Sequence, residues 1–478
     1  MAALRPLLVR TAAVAALSAS LAACASVGSD GGMAPVISRV SLDLGKDTAK
    51  IVTASDAAAV KARVDRLLAR PLTADAAVQI ALLNNRGLQA EYNVLGVSEA
   101  EYVEASLPPS PTVSIERVAG SGDLDVERRL IADLLQLLTL PKRAKIAKTE
   151  FRAAQYKAIA ATFRTATEAR RAFYRAVAAR ETAAFLESAR ASAGAAAELT
   201  KKLGETGAAT KLNQARSGAL YAEVATELAE ARLEASKERE ALTRQLGLWG
   251  RDLNYKLPGR LPSFPRLKSQ GDVEATAIRQ RVDIIGDRLE LDALAQAYGL
   301  TEQTRAISML EVTGLANHTR SADGEKANPK GFEVAAEIPI FDFGRARSVK
   351  ARETYMGAVN RLLEKAVNAR SEAREAYATY RGRHEIARAY QDRVLPLRKV
   401  ITEEAQLQYN GMLVDAFELL TNARENVAAN VAGIRAKRDF FIADVDFQAA
   451  LIGGGSADEP APEPKPASAN PASAASPE

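Results

Sequence analysis

Long stretches without proline constrain this 478-residue chain more than any other feature. Residues 142–203 contain no proline and a single glycine, Gly194. Residues 345–410 contain one proline, Pro396. At about 1.5 Å per residue, a helix of about 60 residues is a rod of roughly 90–100 Å. A single solvated helix of that length would not be stable, so both predicted helices must pack on neighbours along their whole length.

A heptad seam supports the second of these helices. Apolar and small residues recur there at alternating intervals of four and three residues, which is the repeat of helices that pack on one another. The seam residues are Tyr355, Val359, Leu362, Ala366, Ala369, Ala373, Ala376 and Tyr380. Aromatic residues make up only 5% of the chain, so alanine, leucine and valine must supply most of the packing. The predicted fold class is mainly α, built from long antiparallel helical hairpins, with a small β part.

Four short segments have the character of strands, at about residues 111–119, 126–140, 308–318 and 332–341. In the last segment Phe332 and Val334 alternate with residues that include Glu333 and Glu337. One face is apolar and the other acidic, as a barrel strand between lipid and water requires. Glu333 and Glu337 are therefore candidate lumen-facing acids. A strand of a soluble sandwich is the alternative interpretation, but about four strands are few for a sandwich.

The chain reads as two similar halves. Helices are expected to open at Thr73 and again at Asp272, where a small polar residue at the N-cap precedes a carboxylate in the first turn. The shared order of landmarks indicates an internal duplication. The predicted division is a signal peptide, an irregular segment, a first repeat, an irregular connector, a second repeat and a disordered tail, at residues 1–23, 24–71, 72–250, 251–271, 272–453 and 454–478.

The N-terminus has the pattern of a bacterial lipoprotein. Arg5 and Arg10 precede a short apolar run, residues 11–21, that cannot span a bilayer as a stable helix. The run ends in Leu21-Ala22-Ala23-Cys24, which matches the lipobox of bacterial lipoproteins. We expect the Cys24 thiol to carry diacylglycerol and the freed amine to be acylated, which anchors the chain permanently. Ala25 follows, where an aspartate would favour the inner membrane, so the outer membrane is expected. The alternative is a secreted protein whose lone cysteine happens to lie near its cleavage site.

The order of these features resembles the TolC-like outer-membrane efflux proteins over residues 72–453. The motifs that carry the resemblance are Leu72-Thr73-Ala74-Asp75 with Leu88-Gln89-Ala90, Ile338-Pro339-Ile340-Phe341-Asp342-Phe343-Gly344-Arg345, Tyr409-Asn410-Gly411, and Glu418-Leu419-Leu420-Thr421-Asn422-Ala423-Arg424. Leu248-Trp249-Gly250 and residues 414–420 are similar to the copper-associated branch of that family. No Met- or His-rich metal ladder accompanies them.

The resemblance implies an outer-membrane lipoprotein that acts as the exit duct of a tripartite efflux system for small molecules or metal ions. It implies a homotrimer in which each chain gives four strands to one β-barrel, continued by a helical α-barrel across the periplasm. The implied partners are a periplasmic adaptor, an inner-membrane pump and outer-membrane lipid, with no cofactor. The strand count alone also requires oligomerisation, because four strands cannot close a barrel and open edges are not tolerated in lipid.

The tips of the two hairpins are candidate gate and adaptor-contact sites. Glycine is expected to permit the reversal between helices at Gly207 and Gly411. Members of the family often have an acid six residues after that glycine, but Asn213 and Phe417 stand there in this chain. The candidate tip residues are Gly207, Thr210, Asn213, Gly411, Asp415 and Glu418. For Asp415 and Glu418 the alternative is ordinary solvated helix surface.

Nothing in the sequence indicates an enzyme. The two histidines, His318 and His384, fall on a predicted strand end and in the heptad helix, and no catalytic triad, metal-ligand spacing or phosphate loop is present. The net charge is +5, and basic and acidic residues alternate along the chain without a concentrated basic patch, which argues against nucleic-acid binding. Two other classes remain open: a periplasmic adaptor, which has one hairpin and many short strands, and a coiled-coil lipoprotein without a pore.

Overall fold

The computed structural model describes residues 28, 30–120, 123–267, 269, 271–411 and 413–455. Cys24, the predicted signal peptide and the tail beyond residue 455 lie outside the described residues. None of the helices in the described ranges combines the length and the apolar character that a membrane-spanning helix needs.

The first repeat follows two shorter helices. Those helices and the elements of the repeat are α1 (Ala34–Leu44), α2 (Ala54–Leu68), α3 (Ala74–Asn84), α4 (Arg86–Ser106), β1 (Thr112–Gly120), β2 (Asp123–Asp133), α5 (Leu134–Glu205) and α6 (Lys211–Leu246). The 72 residues of α5 form a rod of about 108 Å. A 3-10 helix (Gly250–Asn254) then opens the connector.

The second repeat has the same order of elements, with an added two-residue strand and a π-helical turn. They are α7 (Val273–Gln280), α8 (Val282–Gln303), β3 (Met309–Arg320), β4 (Lys326–Ala327), β5 (Lys330–Glu337), α9 (Arg345–Ala389), a π-helical turn (Tyr390–Val394), α10 (Leu395–Asn410) and α11 (Ala416–Ile452). Thr73 and Asp272 cap α3 and α7, as predicted. The mainly α fold class with a small sheet is confirmed.

The strands form one antiparallel sheet that is four strands wide, in the order β1–β2–β3–β5. The two-residue β4 pairs with Thr319 and Arg320, on the same side of β3 as β5. The helices all join the sheet at one end, and the turns between β1 and β2 and between β3 and β5 lie at the other end.

Two strand predictions were wrong at their C-terminal ends. The second strand was expected to reach residue 140 but ends at Asp133, whose carboxylate accepts a 2.8 Å hydrogen bond from the Gln136 backbone N–H and starts α5. The apolar run after Asp133 thus belongs to a helix, and Pro141 lies inside it. The fourth strand ends at Glu337 rather than residue 341, since Pro339 has no N–H to donate to a ladder.

The expectation that residues 24–71 are irregular was also wrong. Helix α2 starts at a capping box, in which the Thr53 hydroxyl accepts from the Asp56 N–H and the Asp56 carboxylate accepts from the Thr53 N–H. Val36 and Val40 of α1 are fully buried in one cluster with Tyr92 of α4. These short helices are stabilised by their caps and by tertiary packing, which a search for long periodic runs does not detect.

Residues 345–410 do not form one uninterrupted helix. The π turn at Tyr390–Val394 separates α9 from α10, and Pro396 lies in the first turn of α10. A proline inside a helix removes one backbone hydrogen bond and crowds the carbonyl four residues earlier, here that of Asp392. The wider π turn relieves that crowding.

The predicted heptad seam packs against α11 and neighbouring helices. Ala369, Ala373 and Tyr380 are buried, and the Tyr380 ring lies 5.3 Å from Phe447 and 5.7 Å from Phe440. His384 stands at the edge of this aromatic group, 5.3 Å from Phe440, and so has a packing role. The two hairpins lie side by side, with α11 in contact with both α5 and α6.

Candidate functional site

The sheet has two chemically different faces. One ladder row places Val113, Leu130, Gly314 and Phe332 beside one another, and the three large side chains are all exposed. We call this side the apolar face. Its large apolar residues are Val113, Ile115, Leu124, Val126, Leu130, Leu310, Val312, Phe332 and Val334.

The opposite side carries every acidic residue of the described strands, and we call it the acidic face. Its acids are Glu116, Asp123, Asp125, Glu127, Asp133, Glu311, Glu333 and Glu337. Within the described strands Arg129 is the one Lys or Arg on this face, and it forms a 2.5 Å ion pair with Glu127. Of these acids, only Glu333 and Glu337 were predicted from the sequence. The alternate spacing of Asp123, Asp125 and Glu127 was the signal for the acids of β2.

Both edges of the sheet are open. In the described chain β1 pairs only with β2, and β5 pairs only with β3. Every residue of β1 is exposed. A row of unpaired N–H and C=O groups is a template for another strand and cannot remain free in lipid.

Apolar side chains are also exposed in the segment between β5 and α9, where the sheet joins the helices. Phe341 is 98% exposed, and Ile340 and Phe343 are also exposed. Phe343 has φ +48° and Gly344 has φ +72°, so the chain turns sharply into α9 through two left-handed residues. A side chain on Gly344 would overlap the Arg305 carbonyl oxygen, which explains the glycine in this motif.

The first hairpin tip turns at Gly207, as predicted. Gly207 has φ +79°, a conformation that favours glycine. The Ala208 N–H donates to the Leu203 carbonyl at 2.8 Å and closes the end of α5. The Thr210 hydroxyl accepts from the Asn213 N–H at 3.2 Å and caps α6. The side chain of Thr210 and the backbone N–H of Asn213 therefore fix the start of α6.

The second tip differs from the prediction at Gly411. Its φ is −83°, so the reversal needs no left-handed glycine there. The Leu413 N–H donates to the Gln408 carbonyl at 2.9 Å. The Asp415 carboxylate accepts from the Glu418 N–H at 2.9 Å and caps α11. Asp415 and Glu418 are both exposed, so their acidic groups remain available to solvent or to a partner.

The two tips pack against each other within one chain. The Arg216 guanidinium lies 4.5 Å from the centre of the Phe417 ring, and Arg424 forms a 2.7 Å ion pair with Glu223. Further from the tips, α5, α6 and α11 share a buried apolar cluster. It contains Leu186, Leu220, Val224, Leu228 and Val431. Phe417, at the position where the family often has an acid, thus contacts the other hairpin.

A buried ion network lies between the second repeat's helices and was not predicted from the sequence. Arg281 is 5% exposed and pairs with Asp283 at 2.9 Å and with Glu372 at 2.5 Å. Burial acts to raise the pKa of the Asp283 carboxyl. The hydrogen bonds and charge of Arg281, together with the charge of Lys365, lower it by more, so the pKa lies below its usual range. The arrangement ties α8 to α9.

The described residues show no gathering of His, Cys, Asp and Glu side chains of the kind that holds a metal ion. His318 Nδ1 lies 2.7 Å from the Asn328 amide oxygen, across the β3–β5 hairpin. The charged groups that the described surface offers are an acidic strand face and exposed acids at a helical tip.

No protein-family model and no curated protein sequence matches the chain. Solved structures do match. CusC aligns with a TM-score of 0.69 and 18% identity over 82% of this chain and 92% of CusC. The CmeC outer membrane channel of Campylobacter jejuni aligns with 0.69 and 19% over 87% and 91%. The open-state MtrE outer membrane channel of Neisseria gonorrhoeae aligns with 0.65 and 16% over 82% and 89%.

Proposed function

Starting from a chain with the fold of the TolC-like outer-membrane channels, we propose that it is the exit duct of a tripartite efflux system. The observation that carries the proposal is the sheet: one face is apolar and exposed, the other is acidic, and both edges are open. A sheet with those properties fits a wall between lipid and a water-filled lumen, provided that copies close it into a ring.

Closure requires more than one chain. In the proposed assembly β1 of one copy pairs with β5 of the next, which satisfies the open edge groups. Three copies of a four-stranded sheet give a barrel of about twelve strands, within the range of known outer-membrane barrels. The helices of three copies would then surround a tunnel that extends into the periplasm. A periplasmic adaptor and an inner-membrane pump complete the proposed machine.

The two alternative classes fit the chain less well. A periplasmic adaptor would have one helical hairpin and domains of many short strands, whereas the described chain has two hairpins and one sheet. A coiled-coil lipoprotein without a pore would have no use for strands with an apolar and an acidic face. Anchoring through acylated Cys24 is part of the proposal, and the lipobox supports it.

We further propose that the acidic face lines the lumen. Fixed negative charge on the wall of a narrow pore attracts cations and repels anions. Glu333 and Glu337 lie on β5 with exposed side chains, and Arg129 offsets little of the charge on this face. Replacing both acids by glutamine is expected to lower the cation preference of the open channel.

The proposed gate lies at the tip of the second hairpin. Asp415 and Glu418 are exposed at the first turn of α11, and three copies would place a ring of carboxylates at the periplasmic end of the tunnel. The first tip, at Gly207, Thr210 and Asn213, lies beside the second tip, because α6 contacts α11. We propose that this first tip contacts the adaptor.

Reconstitution of the full-length protein tests the function. Detergent-solubilised protein should have about three times the mass of the 51.0 kDa chain, and it should conduct ions in planar bilayers. A stable monomer that gives no conductance would contradict the proposed function. An assembly of another size that still conducts would retain the channel and correct the subunit number.

A further inference from the structure

Basic residues of the strands are separated from the acidic ones across the sheet. All of the Lys and Arg residues of the described strands except Arg129 belong to the apolar face. They are Arg117, Arg128, Arg320, Lys326 and Lys330. We call this set the basic belt, and all five of its side chains are exposed.

The basic belt occupies one end of the apolar face. Arg320 and Lys326 pair in the row nearest the turns between the strands, and Arg117 lies in the next row on the same face. Arg128 and Lys330 share the row after that, on either side of Ala316. The rows between the belt and the helices carry no charge on this face. Since same-face residues are about 6.8 Å apart along a strand, those rows make an uncharged band below the belt.

The belt has no internal counter-charge. Within the described part of the chain, no carboxylate lies within ion-pair distance of Arg117, Arg128, Arg320, Lys326 or Lys330. The acids of the strands cannot serve, because they point to the other face of the same sheet. Adjacent residues illustrate this: Arg128 belongs to the belt, while Arg129 on the acidic face pairs with Glu127.

We propose that the basic belt binds phosphate-bearing lipid head groups in the outer leaflet of the membrane. The inference rests on the proposed function, which places the apolar face in lipid and the hairpin turns at the outer surface. At that height an outward-pointing guanidinium leaves the hydrocarbon and enters the head-group layer. Arginine presents a planar fork of donors that matches phosphate oxygens, so a phosphorylated lipid supplies the missing counter-charge.

Binding of fluorescent diphosphoryl lipid A to the full-length protein in dodecyl maltoside micelles tests this proposal. Wild-type protein should bind the diphosphoryl form at least about tenfold more tightly than the same lipid A without its phosphates. Arg128→Gln should weaken binding about fivefold, and further replacement of Arg117 and Arg320 should weaken it by a similar factor for each charge removed. Arg128→Lys should retain most of the binding.

Arg129→Gln is the matched control, because it removes the adjacent charge from the acidic face and should leave lipid binding unchanged. Equal weakening by Arg128→Gln and Arg129→Gln, or equal affinity for the two forms of lipid A, would overturn the proposal. Displacement of lipid A by millimolar inorganic phosphate would also overturn it, since it would indicate a site for free phosphate.

A variant that fails to assemble is replaced by Lys330→Gln. Loss of oligomer and conductance in the wild type would instead defeat the proposed function, so the two failures are distinguishable.

Discussion

Asn85 and Arg281 occupy equivalent positions in the two repeats and have nearly the same backbone conformation. Asn85 has φ −67° and ψ 118°, and Arg281 has φ −60° and ψ 118°. Each is the single residue that interrupts a helix pair, between α3 and α4 or between α7 and α8. Their side chains differ: Asn85 caps α4 by accepting from the Leu88 N–H, whereas Arg281 forms ion pairs. The two repeats share this backbone conformation but use it for different side-chain chemistry.

Replacing Arg281 by glutamine should destabilise the helical body by about 2–4 kcal/mol, because the Asp283 carboxylate would stay buried without its main partner. Helical circular dichroism of the full-length protein during denaturant unfolding measures the effect. Arg279→Gln is the matched control. Arg279 is exposed two residues earlier, and its replacement should cost less than about 0.5 kcal/mol. Equal effects of the two variants would show that the ion network adds nothing to stability.

The stabilisation from Asp283 should depend on pH. Burial acts to raise the pKa of this carboxyl, but Arg281 and Lys365 lower it on balance, so the folded pKa lies below the unfolded value of about 4. The contribution is therefore fully present above about pH 4 and is lost as the pH falls through the folded pKa. The melting temperatures of wild type and Asp283→Asn should differ at pH 7 and converge on acidification. A difference that stays constant down to pH 3 would contradict this assignment.

Two glycines of the predicted motifs should respond differently to alanine. Gly344→Ala should cost more than about 1 kcal/mol, because φ is +72° and the added methyl overlaps the Arg305 carbonyl. Gly411→Ala should cost less than about 0.5 kcal/mol, because φ is −83° and the nearest atom to the methyl is 3.5 Å away. Thermal stability of the purified oligomers provides the comparison. A Gly411 variant as unstable as the Gly344 variant would mean that the second tip has a different backbone.

Neutralising both acids of the second tip should weaken cation selectivity without changing assembly. In the variant Asp415→Asn with Glu418→Gln, asparagine still caps α11, so the helix start is kept. Reversal potentials across a salt gradient measure the selectivity. Asp415→Ala separates the two roles, since it removes the cap and should cost about 1 kcal/mol as well. Unchanged selectivity in the double variant would place the gate elsewhere.

Mass spectrometry of the mature N-terminus should find Cys24 as the first residue, carrying acyl chains. The lipobox and the apolar run before it are the basis. Cys24→Ala should remove the acyl mass while the protein still assembles, because the proposed barrel also holds the membrane. An unmodified N-terminal peptide that begins at another residue would exclude the lipid anchor.

The sequence predicted what depends on long periodic patterns. The heptad seam through Ala369 and Ala373 and the alternation at Phe332 and Val334 each repeat often enough to define a face. The ends of elements depend on single hydrogen bonds, such as that from the Gln136 N–H to Asp133, so the boundary of β2 was misplaced. The helices of residues 34–68 are short, and their signal is mainly the capping box at Thr53.

The candidate sites were predictable only in part, for a related reason. Glu333 and Glu337 could be assigned to a face because their own strand alternates clearly. The Arg281 network and the contact of Arg216 with Phe417 join residues that are far apart in the chain, and no local pattern marks them. The separation of Arg128 from Arg129 likewise becomes meaningful only once the register of β2 is known.

That register has a consequence for how the protein reaches its final state. In the proposed barrel, a slip of β2 by one residue against its neighbours would move Asp125 and Glu127 to the lipid side and Arg128 to the lumen side. At the height of the basic belt, Asp125 and Glu127 would then face lipid phosphates of like charge, while Arg128 would lose contact with them, so the slipped sheet would be disfavoured. The charged membrane surface would thus favour the one register in which the acids of β2 face away from the lipid.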